Sequence, residues 1–175
     1  MIRIYYTKLD ISEMTRGQVR SAESLTSKKM LRYVLLKYHG MKEPLPPIEI
    51  ASSGKPYLAD RSFEYNVTHA GGIVVLAVSD EPIGIDVERT DRVIQQKIFE
   101  TYLHMQDATI EDWTKFESYS KLSGAGIYSV SYPPKETGVY FKTYTEDVPG
   151  HTVCVCSKKD RFPDSILYIE REKVE

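Results

Sequence analysis

The chain has 175 residues, a formal net charge of -2 and a pI near 6.1. That length buries a sizeable core as one domain or as two small halves, and the near-neutral charge leaves no global footprint for nucleic acid. No apolar run approaches the length of a membrane span, and the first residues lack the apolar stretch of a signal peptide.

Met1 to Tyr6 predicts a first strand. A helix is predicted from about Ser24 to Tyr38, because Leu25, Leu31, Val34, Leu35 and Tyr38 form an apolar stripe. Lys28, Lys29, Arg32 and Lys37 supply its charge, and Arg16 and Arg20 lie just before it. This locally basic stretch is open between a solvated helix face and a surface that holds phosphate. The run Pro44-Leu45-Pro46-Pro47 ends the region and leads into a short strand, Ile48 to Ala51.

Ser53-Gly54-Lys55-Pro56-Tyr57-Leu58 reads as a turn carrying a lysine, and Tyr65 to Gly72 as a strand running into a glycine turn. Singly, Lys55 is a surface lysine and His69 a satisfied histidine near a strand end. Beside glycines that permit close backbone approach, the two also suit a phosphorylated nucleotide. Ile73 to Val78 and Pro82 to Glu88 read as successive strands across a turn at Ser79-Asp80. Side chains two apart on a strand share a face, so Asp86 and Glu88 point one way and Ile85 and Val87 enter the core. Paired carboxylates repel unless a positive charge sits between them. An all-oxygen pair favours Mg²⁺ over zinc or copper; a strand edge facing water accounts for the same spacing.

Trp113 to Lys121 predicts a helix stopped by Gly124-Ala125-Gly126. Trp113, Glu117 and Lys121 fall on one stripe at i, i+4 and i+8. A Glu–Lys pair at this spacing is ordinarily a surface feature. Here the tryptophan draws the stripe inward, which makes Glu117 a candidate metal ligand, base or phosphate clamp. Cys154 and Cys156 alternate with valines, are not in CxxC spacing and are poorly placed for a disulfide. They read as buried free thiols in a reducing cytoplasm.

Four motifs stand in order: Gly54-Lys55-Pro56, Asn66-Val67-Thr68-His69, Gly84-Ile85-Asp86-Val87-Glu88, and Trp113 with Glu117, Lys121, Gly124 and Gly126. In that order and spacing the chain resembles the 4'-phosphopantetheinyl transferases, of the two-lobed, surfactin-synthetase-activating type. Tyr140 to Tyr144, Gly150 to Cys156 and Phe162-Pro163-Asp164 carry the resemblance to the end of the chain. It implies an α+β fold of two pseudo-symmetric lobes, each a small antiparallel sheet with a packed helix. The lobes divide near Thr90, into residues 1–90 and 91–175, with coenzyme A in the cleft between them, and the chain acts as a monomer. Helices over about Asp91 to Met105 and Thr109 to Ser123 are expected, with strands over about Thr137 to Thr145, His151 to Ser157 and Ser165 to Glu170.

The resemblance further implies an enzyme that moves phosphopantetheine from coenzyme A to a serine of an apo-carrier protein, acyl or peptidyl, and releases 3',5'-ADP with Mg²⁺ as cofactor. The carrier belongs to fatty-acid, polyketide or nonribosomal-peptide synthesis. By similarity, Asp86, Glu88 and Glu117 hold the metal, Glu117 is also the base, and Lys121 stabilises charge on the pyrophosphate. Lys55 with Pro56, and His69, match positions that grip the nucleotide end, and Lys28, Lys29 and Arg32 lie on the helix that adds basic contacts. No nucleic acid or membrane partner is expected. The chain departs from the family at Phe116, where a lysine usually precedes the glutamate, at Ala70, where serine is frequent, and in its short 91–112 stretch. A coenzyme A- or carrier-protein-binding homologue with weakened catalysis is the alternative, and Phe116→Lys is expected to tighten coenzyme A binding.

Overall fold

The strands of this chain stack as two sheets between two helices, in a computed structural model that describes residues 1–174. Strand β1 (Ile2–Lys8) leads to helix α1 (Arg16–Tyr38), the short strands β2 (Ile48–Ile50) and β3 (Pro56–Leu58), then β4 (Glu64–Ala70), β5 (Ile73–Ser79) and β6 (Ile83–Arg89). Helices α2 (Gln96–Leu103) and α3 (Ile110–Ser123) follow, then β7 (Tyr140–Tyr144), β8 (His151–Ser157) and β9 (Leu167–Tyr168). The first sheet has the order β4-β5-β1-β9, the second β6-β8-β7, and β2 pairs with β3 as a separate ribbon.

Period-two alternation builds the layers. Val74, Leu76 and Val78 of β5 pack with Met30, Leu31, Val34 and Leu35 of α1. Ile73, Val75 and Ala77 of the same strand face the second sheet, where they meet Ile83, Ile85 and Val87 of β6 and Val153 and Val155 of β8. The remaining face of the second sheet receives α3, with Tyr119 and Leu122 against Cys156. Both middle layers are therefore covered on both sides, and each aliphatic side chain buried there contributes roughly 1.5–3 kcal/mol. Among the described residues no helix is long and apolar enough to cross a membrane.

The α+β class and most strands match the sequence expectation, and several differences have clear causes. Helix α1 begins at Arg16 rather than near Ser24, because Thr15 and Gln18 form a reciprocal capping box: the Gln18 N–H donates to Thr15 Oγ1 and the Thr15 N–H to Gln18 Oε1. The first sheet is mixed rather than antiparallel, since β9 lies parallel to β1 and is only two residues long. Sheet membership crosses Thr90 in both directions: β6 precedes it but pairs with β8, and β9 follows it but pairs with β1. Extended backbone pairs wherever an edge is open, so chain order alone does not assign strands to sheets.

Candidate active site

The site is built where the free edge of β6 passes β4 and α3. Gly84, Asp86 and Glu88 share the face of β6 turned toward α3. Gly84 lets the helix close in: a Cβ there would lie 2.0 Å from the Ser118 carbonyl oxygen and 2.5 Å from the Leu122 nitrogen. Helix α3 is held at both ends, by a Thr109–Asp112 capping box and by Gly124 in the left-handed region at φ 71°. Trp113 and Phe116 anchor its far side among Phe99, Tyr102 and Tyr132. With the helix so fixed, Glu117 and Lys121 are delivered to Asp86.

One oxygen from each of Asp86, Glu88 and Glu117 lies within 4.8 Å of the other two. Asp86 and Glu88 are buried, so their mutual repulsion needs compensation. The Lys121 ammonium donates to Asp86 Oδ1 at 2.6 Å and to Thr68 Oγ1 at 3.0 Å, while the Thr68 hydroxyl donates to the same Asp86 oxygen at 3.1 Å. Arg92 pairs with Glu88. Asp86 Oδ2 is buried and has no hydrogen-bond partner. Burial and then the Asp86 carboxylate push the Glu117 pKa up to about 8, against the pull of Lys121. An orphaned carboxylate oxygen, beside two more oxygen donors held in an excess of negative charge, fits a hard divalent cation.

These groups line a cleft of about 540 Å³, within the usual range for small-molecule sites. Leu31, Ile48, Ile50, Pro56 and Val67 give it an apolar lining. Ser24, Ser27 and Lys28 line it from α1, and His69 from β4.

Other expected ligand contacts lie elsewhere. Lys29 and Arg32 line a different depression with Lys37 and Lys173, and Arg32 pairs with Glu43 at 2.7 Å. Successive helical residues are rotated about 100°, so Lys28 and Lys29 cannot both face the cleft. The Lys55 ammonium donates to the Ile83 carbonyl at 2.9 Å, and burial holds its pKa below the ordinary lysine value. Asn66 Oδ1 accepts from the Ile85 N–H at 3.0 Å. Lys55 and Asn66 thus cap the open edge of β6, satisfying backbone groups that have no strand beside them.

Phe116 is fully buried in the aromatic cluster, with Trp113 at 5.4 Å between ring centroids. It does not reach the cleft, so a lysine at this position would have its charge in the core. Lys115 pairs with Glu111 at 2.8 Å and does not replace it. The sequence names Thr68 only as part of the Asn66-to-His69 motif and assigns no role to Arg92, although both reach the acidic cluster. The signal for Thr68 is that motif; Arg92 has none, since its contact depends on how the chain leaves β6.

No family model matches the chain. Among curated proteins it is 27% identical to the 4'-phosphopantetheinyl transferase Sfp of Bacillus subtilis, in an alignment that covers 98% of this chain and 85% of the relative. The 4'-phosphopantetheinyl transferase ffp of Bacillus subtilis is likewise 27% identical, over 97% of this chain and 84% of that protein. A shorter match, 35% identical over 89 residues, covers 43% of this chain and 37% of the 4'-phosphopantetheinyl transferase gsp of Aneurinibacillus migulanus.

Proposed function

We propose that this chain, an enzyme related to the Sfp-type 4'-phosphopantetheinyl transferases over nearly its whole length, moves the phosphopantetheine group of coenzyme A to a serine of an acyl- or peptidyl-carrier protein. The observation that carries the reading is the convergence of Asp86, Glu88 and Glu117 beside Lys121. These four residues come from two distant segments of the chain and meet in the lining of a nucleotide-sized cleft. The division into two lobes near Thr90 belongs to the same reading, with the cleft at their seam, and a monomer suffices because both sides of the cleft come from one chain.

Asp86, Glu88 and Glu117 would hold Mg²⁺, which supplies neutralisation of the pyrophosphate when bound. Glu117, whose carboxyl keeps its proton at neutral pH in the metal-free chain because burial and Asp86 raise its pKa to about 8, would take the proton of the carrier serine as the carboxylate that a bound cation favours. The serine oxygen forms a bond to the phosphorus that carries the pantetheine, and the bond to the other phosphate of the pyrophosphate breaks. Lys121 lies where it stabilises charge on the leaving 3',5'-ADP. The apolar lining of Leu31, Ile48, Ile50, Pro56 and Val67 accepts uncharged parts of coenzyme A, and Lys28 and His69 face its phosphates. Cytoplasmic coenzyme A and carrier protein are the expected partners.

The test is mass spectrometry of apo-carrier proteins incubated with the chain, coenzyme A and Mg²⁺. A gain of one phosphopantetheine on the carrier is expected, and it is lost on Asp86→Ala. Full activity of that variant, or no gain on any of a panel of fatty-acid, polyketide and nonribosomal-peptide carriers, overturns the reading.

A further inference from the structure

The free edge of β6 is finished by side chains, and one of them comes from the β2–β3 ribbon. Among the described residues the Lys55 ammonium has one hydrogen-bond partner, the Ile83 carbonyl at 2.9 Å. Withdrawing an ammonium from water for a single neutral acceptor is costly, which marks this contact as more than a surface accident. Ile83 lies three residues before Asp86, about 10 Å along an extended strand. From there the ammonium does not reach the acidic cluster, and the cations that act on Glu117 are Lys121 and Arg92.

The turn that carries Lys55 is tightly closed. The Ala51 N–H donates to the Lys55 carbonyl at 2.9 Å and the Gly54 N–H to the Ala51 carbonyl at 2.8 Å, with Gly54 in the left-handed region at φ 85° and Pro56 next in the chain. Leu58, 1% exposed, roots the ribbon in the core beneath α1. The tip of the ribbon touches both elements that supply the acidic cluster. Lys55 holds Ile83 at the start of β6. Ser53 lies against Gly124 at the end of α3, where a Cβ on the glycine would stand 3.2 Å from Ser53 Oγ. Gly84 directly follows Ile83, and the helix residues that close on it, Ser118 and Leu122, directly follow Glu117 and Lys121.

We propose that Lys55 is a positioning residue for the metal ligands: by fixing Ile83 it holds Gly84 under α3, and so sets how far Glu117 stands from Asp86 and Glu88, and it does not grip a phosphate of the nucleotide. This rests on the reading of the acidic cluster as a Mg²⁺ site. An ammonium on a long stem reaches from the ribbon to the strand edge and replaces the donor that a neighbouring strand would supply. Asn66 serves the next residue of that edge, its Oδ1 accepting from the Ile85 N–H at 3.0 Å. The two side chains thus pin β6 on either side of Gly84, the point on which the helix rests. Three carboxylates from two elements bind one cation only while that spacing is kept. Partners that orient metal ligands from outside the coordination sphere change metal affinity by about 10–100-fold.

Titration with Mn²⁺, which takes the same oxygen ligands as Mg²⁺ and whose free and bound forms differ in electron paramagnetic resonance, reads the site without turnover. Lys55→Met keeps the stem and removes the donor, and is expected to weaken Mn²⁺ binding by about tenfold. Lys55→Arg keeps a donor for the carbonyl and is expected to stay within about threefold of the unmodified chain. Calorimetric titration in chelator with 3',5'-ADP and with 5'-AMP, which lacks the 3'-phosphate, is expected to give the same ratio of affinities in Lys55→Met as in the unmodified chain. Unaltered Mn²⁺ affinity in Lys55→Met overturns the inference, and with a fall in urea stability it makes the lysine a structural cap and no more. Lys55→Arg binding Mn²⁺ as weakly as Lys55→Met overturns it as well. So does a fall in the nucleotide ratio, which makes Lys55 a phosphate ligand. Each of these results leaves the Mg²⁺ reading standing, whereas absence of Mn²⁺ binding by the unmodified chain overturns both.

Discussion

Replacing Glu117 with glutamine isolates the electrostatic cost of the acidic cluster. The glutamate pKa rises from 4.5 to about 8 on folding, because the carboxyl is buried and faces Asp86. Below pH 4.5 the acid is protonated in both the folded and unfolded chain and contributes nothing to the pH dependence. As pH rises toward 8 the unfolded chain loses the proton while the folded chain retains it, so stability falls across that window. At pH 7 the loss is roughly 3 kcal/mol. Glutamine keeps the shape of the protonated acid at every pH and avoids the loss. In chelator, thermal unfolding at pH 7 should therefore place Glu117→Gln about 6–12 °C above the parent, a gap that closes near pH 4.5. Added Mg²⁺ at pH 8 should raise the parent's Tm and leave the variant's nearly unchanged. A gap that stays constant from pH 4.5 to pH 8 would refute the reasoning, because burial beside Asp86 would then not be what strains the folded chain.

Gly84→Ala places a methyl group 2.0 Å from the Ser118 carbonyl and should push α3 off β6. A loss of about 1–3 kcal/mol in urea unfolding is expected, together with loss of the Mg²⁺ response, since Glu117 and Lys121 ride on that helix. Phe116→Lys should destabilise by about 3 kcal/mol or more, because its ammonium would be unpaired among aromatic rings; tighter coenzyme A binding in a fully folded variant would contradict this. Cys154, whose pKa burial pushes up to about 11, and Cys156, also raised by burial, should resist a thiol reagent at pH 8 in the native chain and react in denaturant. Rapid native labelling would place them at the surface.

Much of this arrangement is legible in the sequence. Alternation in Ile73 to Ser79 and Ile83 to Arg89 marked two strands, and the i, i+4 spacing of Trp113, Glu117 and Lys121 marked a helix with a polar stripe beside its anchor. The Thr15–Gln18 capping box was also in the sequence and would have set the start of α1 at Arg16, bringing Arg16, Arg20 and Glu23 onto the helix. Lys55 was legible as important but not in what it does. A lysine in a glycine–proline turn matches a phosphate ligand and an edge cap equally well until the Ile83 carbonyl is seen beside it.

Local periodicity by itself determined that Asp86 and Glu88 share a face and that Glu117 and Lys121 share another, because one strand or one helix contains all the geometry involved. Only the tertiary structure decided which charge answers which. Lys121 crosses from its helix to Asp86, Arg92 returns to Glu88, and Glu23 closes on His69. Such choices depend on which strand edges are left open and how closely a helix approaches over a glycine, and those are properties of packing between segments far apart in the chain.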